Sequence, residues 1–398
     1  MAGNLAARIS TKGGWGEGGR GAGRRDLKVA TVRLRRTAVS DRDAPPEPSV
    51  QMMPNTQDQS RFAKRAEPIS VIIPPQMSVW HPLVDPQVGY LFSLSDSLRI
   101  VEANTPGFLV PVTEGTMIVA SDYSGQHKEA THEAYSFLIT TEPVLHDWLP
   151  SLRAFRAKWL PDNRRISFKK LNEPLRWRAL PAFLEVVGRL RGNLVTIMVD
   201  RRVGSFVDGG PSAVIEVFPD CFSAEANPGT VEKMLRLASF VALILSGLRQ
   251  ETQISKWISD EDEALDSYQK RESFSRLATY LTFGLTGWRR PADHLFAMTG
   301  SPKVPYWSED LTAVADIAAG AYCQMISNLP TYFGRATWRV RASSENVASE
   351  RARTVGTWLA RGHTSLKHVL LRLELDSNRQ VRASAQAFVK AIEVPTDS

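Results

Sequence analysis

Near its middle-to-late region the chain carries SEDLTAVADIAAGAYCQMI, a run in which nearly every side chain is small or apolar. The spacing predicts a helix with Ser308 as its N-cap. So slim and apolar a helix lies close against a sheet. Asp316 stands in its middle, with Thr312, Val314, Ile317 and Gly320 around it. A carboxylate buried without a partner is costly, so Asp316 must face a basic side chain or a divalent cation. The fold must therefore bury this helix on a sheet and bring positive charge to one point of the contact.

The preceding sequence supplies a sheet. TMIVASD predicts a strand that ends on Asp122, and AYSFLIT a second strand joined to it as a hairpin through YSGQHKEATHE. VLHDWLPSLRAFRAKWL has helical spacing, RRISFKKL reads as a third strand, and RWRALPAFLEVVGRLRG reads as an amphipathic helix. NLVTIMVD is a strand ending on Asp200, followed by the long helix TVEKMLRLASFVALILSGLRQ. QISKWISDEDE is a strand that runs into acid; a helix over ALDSYQKRESFSRLATYLTFG and a short strand at DHLFAM complete the series. A hairpin followed by alternating helices and strands defines an α/β domain with a mixed central sheet.

The ends differ in composition. Residues 1–70 are rich in Gly, Arg and Pro and read as a disordered basic leader; their 13 Lys/Arg against 7 Asp/Glu account for most of the net charge of +7. Residues 71–330 read as the α/β domain, with a β-rich lead-in and a core from about 115. Residues 331–398 read as a helical extension, basic through ten Lys/Arg between Arg335 and Arg382. Cys221 and Cys323 form no C-x-x-C pair, which excludes a zinc ribbon or disulfide scaffold and fits a reducing compartment. The most apolar run, LASFVALILSGL, falls short of the roughly 18 residues a membrane span needs. The expectation is a cytoplasmic protein without a membrane partner. No P-loop, G-x-S-x-G or strand-anchored G-x-G-x-x-G is present, and His127 and His132 lack the spacing of a helical zinc pair.

Three acids share one description. Asp122 ends the first strand, Asp260 begins the acidic end of a later strand, and Asp316 lies on the closing helix. Hard cations such as Mg²⁺ bind oxygen ligands, and two-metal phosphodiester cleavage needs clustered carboxylates. Taken alone, Asp122 reads as a turn residue and the SDEDE acids as a helix start. Taken together, ASDYSG, WISDEDE and SEDLTAVADIAAGAY resemble, over about 115–330, a bacterial family of RNase H-like proteins known mainly as a domain of unknown function. The resemblance rests on a D-x-S-G first strand and a closing helix with Ala-Asp, an aliphatic pair and Gly-Ala. It implies an RNase H-like fold in which Asp122, Asp260 and Asp316 are catalytic and hold Mg²⁺ or Mn²⁺, with Asp262 or Glu261 as a fourth ligand. Many members carry E-x-K at the third strand; this chain has SFKKLN, with no glutamate, which leaves the site incomplete or completed by another acid such as Asp200.

Residues 151–191 hold eleven Lys/Arg against three acids. Beside an acidic centre, Arg164, Arg165, Lys169, Lys170, Arg176 and Arg178 are the candidates for binding a nucleic-acid backbone. Trp159 and Trp177 read as core residues or base-stacking rings, and Lys303 as a further phosphate contact. The expected function is a divalent-metal-dependent nuclease acting on DNA or RNA. The alternatives are a nucleic-acid-binding or interaction module that has lost its catalytic site, and a structural adaptor acting through the C-terminal segment.

Overall fold

A computed structural model describes residues 78–127, 129–287, 294–299, 307–328 and 349–388. The leader 1–70 and Lys303 lie outside the described residues. After α1 (Tyr90–Asn104), the apolar run at Met117 becomes β1 (Met117–Ser124), which turns back as β2 (His132–Thr141). Gly125 makes the turn: its φ is +86°, and a Cβ there would lie 2.2 Å from the His132 carbonyl oxygen. Next come α2 (Glu142–Trp159), α3 (Pro174–Gly188), β3 (Gly192–Asp200) and α4 (Gly210–Val217). α5 (Pro228–Leu248) follows, started by Pro228 and by the Asn227 side chain, which accepts from the Gly229 and Thr230 amides. The remaining elements are β4 (Ser255–Ser259), α6 (Tyr268–Thr286), β5 (His294–Met298), α7 (Ser308–Asn328), α8 (Glu350–Ala360), β6 (Leu366–Leu375) and β7 (Val381–Phe388).

The strands form one seven-stranded sheet in the order β5-β4-β1-β2-β3-β6-β7. β1, β2 and β3 are an antiparallel meander, β4 and β5 run parallel to β1, and β6 runs parallel to β3 with β7 antiparallel at the edge. This is a mixed central sheet flanked by helices, the α/β architecture that the sequence predicts. Alternation along β1 divides the interior in two. Met117 and Val119 join Phe137, Ile197 and Trp257 under α1, α5 and α6. Ile118 and Ala120 join Leu138, Leu194 and Ile258 under α2, α3, α7 and α8. Both faces being covered, the central strands read as continuous apolar runs. α7 is anchored by a buried ion pair in which Arg156 of α2 donates to both oxygens of Asp310, at 2.7 Å each.

Three segments depart from expectation. RRISFKKL is no strand: it is a loop across α7 with one 3-10 turn at Phe168–Lys170, held because Ile166 and Phe168 are both buried on one core. The lead-in is helical rather than β-rich, since Tyr90, Leu91, Leu94 and Leu98 bury one stripe of α1. The segment expected as a helical extension has one described helix, α8, and then the strands β6 and β7, which continue the sheet beyond β3. β6 is packed on both faces, so its sequence lacks the alternation that marks a half-buried strand. No described helix is long and apolar enough to cross a membrane.

β6 also buries a titratable group. His368 lies between the rings of Tyr322 and Phe388, at 5.5 and 4.6 Å between centroids. Its ring nitrogens meet the Tyr322 hydroxyl at 3.1 Å and the Leu359 carbonyl at 3.3 Å. Burial pushes its pKa down to about 3, so the folded protein holds it neutral. The unfolded chain takes up this proton near pH 6.5. Stability is therefore full above pH 6.5 and falls as pH drops toward 3, by up to about 1.4 kcal/mol per pH unit. His368→Phe, which keeps the ring, should flatten the melting temperature against pH between 6.5 and 4; an unchanged acid slope would place the sensitivity elsewhere.

Candidate metal centre

The parallel register of β1 and β4 makes the site. Ser121 is opposite Ser259, and the Asp260 amide continues the ladder by donating to the Ser121 carbonyl at 3.1 Å. Asp122 and Asp260 therefore follow side by side, on strands about 4.8 Å apart and on the face covered by α7. The opposite face fixes this register. The Tyr123 hydroxyl bridges Ser121 Oγ at 2.8 Å and Ser259 Oγ at 3.1 Å, while Trp257 Nε1 donates to Ser121 Oγ at 2.8 Å. Burial holds the Tyr123 hydroxyl protonated far above its ordinary range.

Asp316 comes down from α7 onto the same place. Its Oδ2 accepts from the Phe168 amide at 2.8 Å, and Ser167 bonds to it as well. One helical turn on, Gly320 gives the Phe168 ring room to lie on α7: a Cβ there would sit 2.4 Å from Phe168 Cδ1. Asp316 and Gly320 together receive the loop, one through its backbone and the other through its ring. The loop is held further by Arg176, whose Nε donates to the Arg165 carbonyl at 2.7 Å, and by Arg351, which donates to the Phe168 and Lys169 carbonyls at 3.2 and 3.3 Å.

The cation of the cluster is Arg165, which binds Asp260, lies at the edge of reach of Asp122 and acts on Asp316 through its charge alone. Its Nη1 and Nη2 donate to Asp260 Oδ1 and Oδ2 at 2.5 and 2.8 Å, and Nη2 lies 3.8 Å from Asp122 Oδ2. Thr299 adds a hydrogen bond to Asp260 Oδ1 at 2.6 Å. The acids respond differently. Burial would raise the Asp260 carboxyl, but Arg165 and Thr299 outweigh it and hold the group below its usual range. Asp122 is pushed well up by burial, then by the like charges of Asp316 and Asp260; its bond from the Tyr123 amide and the distant Arg165 do not offset them. Asp316 is raised by burial, against the Phe168 amide and Ser167. One guanidinium thus serves three carboxyl groups, whose oxygens are the donor type that fits a hard divalent cation. Among the described residues no three His, Cys, Asp or Glu side chains stand ready arranged as a ligand set.

The other candidates are distributed as follows. Asp262, two residues past Asp260, is turned to the opposite face: it accepts from the Ala264 amide at 2.8 Å and pairs with Lys233 of α5 at 2.6 Å, so it does not join the cluster. Asp200 likewise stays apart, taken up by Arg202 at 2.5 Å. Lys169 and Lys170 are exposed beside the cluster, and Arg178 is exposed on α3. Arg164 is half-buried and paired with Asp162 and Glu173. Arg176 is buried and turned inward, bonding to Glu173 and the Arg165 carbonyl, because it secures the loop and not a ligand. Trp159 and Trp177 pack against the core. Read from sequence, Arg165 falls on the phosphate side, Gly320 figures only as a neighbour of Asp316, and Thr299 and Phe168 have no role. The spacing of Gly320 four residues after Asp316 was the available signal, since it puts both on one helix face.

No family model matches the chain, and no curated protein is similar to it in sequence. Solved structures that it matches include ribonuclease H2 from Pyrococcus horikoshii OT3, at 15% identity over 62% of this chain and 86% of that one, with a TM-score of 0.29. Another is RNase HII of Archaeoglobus fulgidus in a complex with PCNA, at 15% identity over 61% and 89%, with a TM-score of 0.27. At such TM-scores neither likeness bears on the site, whose reading rests on the strand register and the three carboxylates.

Two outcomes follow from the geometry. Asp122→Asn removes a carboxyl whose ionisation is opposed by burial and by two like charges, and should raise the melting temperature, by about 2–4 °C for each kcal/mol regained; no rise would mean that the carboxylate is stabilised where it lies. Gly320→Ala should destabilise the protein by about 1–3 kcal/mol through overpacking against Phe168. In urea denaturation, Phe168→Ala combined with Gly320→Ala should lose less than the sum of the single losses; strict additivity would rule out the ring as the cause.

Proposed function

We propose that the protein is a divalent-metal-dependent nuclease that cleaves phosphodiester bonds at Asp122, Asp260 and Asp316. The observation that carries this reading is the meeting of the three carboxylates, two from adjacent parallel strands and one from α7, beside a basic loop. All three offer oxygen to Mg²⁺ or Mn²⁺, and burial raises Asp122 and Asp316, whose ionised forms a divalent cation would favour. Asp122, Asp260 and Asp316 would hold such an ion, which when bound would activate water and offset charge on the phosphate. The chain's own residues supply the remainder. Lys169 and Lys170, exposed on the loop, attract the backbone of DNA or RNA; α7 covers one side of the centre; the Tyr123 bridge keeps Asp122 and Asp260 abreast. Nucleic acid is the partner, and the unbridged thiols of Cys221 and Cys323 suit a cytoplasmic setting.

A second reading is favoured by one observation: Arg165 already lies among the carboxylates, as it would in a catalytically inactive nucleic-acid-binding module of the same fold. Incubation of labelled DNA and RNA with Mg²⁺ or Mn²⁺ separates the two. Cleavage that EDTA abolishes, and that Asp122→Asn and Asp316→Asn lower at least as much as the roughly 10–100-fold seen for outer partners of metal sites, supports the enzyme. Metal-dependent cleavage unaffected by both variants overturns the assignment. Binding without cleavage supports the inactive module.

A further inference from the structure

The cation at the centre belongs to the chain, and its position bears on how any metal enters. A carboxylate offers about four lone-pair sites. On Asp260, Arg165 takes two through its fork and Thr299 takes a third. Little of Asp260 is left to a metal, which in the case of Mg²⁺ demands ligands at about 2.0–2.1 Å in near-octahedral array. Arg165 serves the other acids poorly, since it reaches Asp122 only at 3.8 Å. Its Nε is buried without a hydrogen-bond partner among the described residues, so its own hold on the site is incomplete. The side chain rises from the loop and belongs neither to the sheet nor to α7. The backbone of that loop is fastened independently, at the Arg165 carbonyl by Arg176 and at the Phe168 amide by Asp316. The guanidinium can therefore leave Asp260 without the loop coming away.

We propose that Arg165 is an internal competitor for the metal: its fork occupies Asp260 in the resting protein and must withdraw before a divalent ion binds the three carboxylates. The displaced guanidinium emerges beside the exposed Lys169 and Lys170, where it joins them against a phosphate backbone. Metal loading and nucleic-acid binding are thereby coupled, each drawing Arg165 from the acids. This rests on the metal-dependent reading of the same site.

The test is Mn²⁺ binding to the full chain, followed by the electron paramagnetic resonance of free Mn²⁺ and by calorimetry, in the wild type, Arg165→Gln and Arg165→Lys. Arg165→Gln is expected to bind Mn²⁺ at least tenfold more tightly than the wild type. Arg165→Lys, which keeps the charge without the fork, is expected to fall between them, and it decides the matter alone if the glutamine variant does not fold. Equal affinities, or weaker binding by the variants, would overturn the competition while leaving a metal site in place. Absence of Mn²⁺ binding in all three folded proteins would overturn both the competition and the metal-dependent nuclease.

Discussion

Two parallel strands in register set Asp122 and Asp260 abreast, and much of the surrounding structure answers the repulsion this creates. The strands cannot slip apart, because a tyrosine, two serines and a tryptophan bind them from the far face. A third carboxylate is then laid on from α7, which adds to the difficulty. The loop over 160–173 resolves part of it by sending Arg165 between the acids and by offering a backbone amide to Asp316. α7 in turn is held by the buried Arg156–Asp310 pair, a contact whose loss on one side alone would leave a bare charge in the interior. Of the three acids, only Asp122 lacks a compensating partner among the described residues, whereas Asp260 holds Arg165 and Asp316 holds the loop.

How much of this could be read beforehand depends on whether the signal was local. β1, β2, β4 and α7 were legible because each carries its own pattern: an apolar run ended by acid or turn residues, or a thin-sided helix with one misplaced carboxylate. The juxtaposition of Asp122 with Asp260 was legible only as a resemblance, since no local pattern states which strands pair. Asp262 shows the limit. It is two residues from Asp260 and of the same chemistry, yet the chain has left β4 at Ser259 and delivers it to Lys233 on the other face.

The misread segments share a cause of another kind. In RRISFKKL the buried Ile166 and Phe168 mimic a strand's period of two, and only the space above Gly320 shows that a loop can use the same spacing. In β6 the reverse holds. With helices on one face and α1 on the other, Val369, Leu370 and Leu371 are all buried, and a run apolar on every side gives no period by which to tell strand from helix. The basic segment was legible as composition but not as geometry: Arg165, Arg176 and Lys169 are close in sequence, yet one meets the acids, one holds the loop and one faces solvent.

The place of β6 has a consequence for the birth of the protein. Gly192 of β3 pairs with Leu366, so the strand waits for a partner made 174 residues later. At the roughly 5–20 residues per second of synthesis, that is on the order of ten to thirty seconds during which a long apolar edge stands open. Such an edge invites pairing with another chain. The meander is thus complete well before the strand that closes its edge, and Asp122 waits on it for Asp260 and Asp316, which are made later.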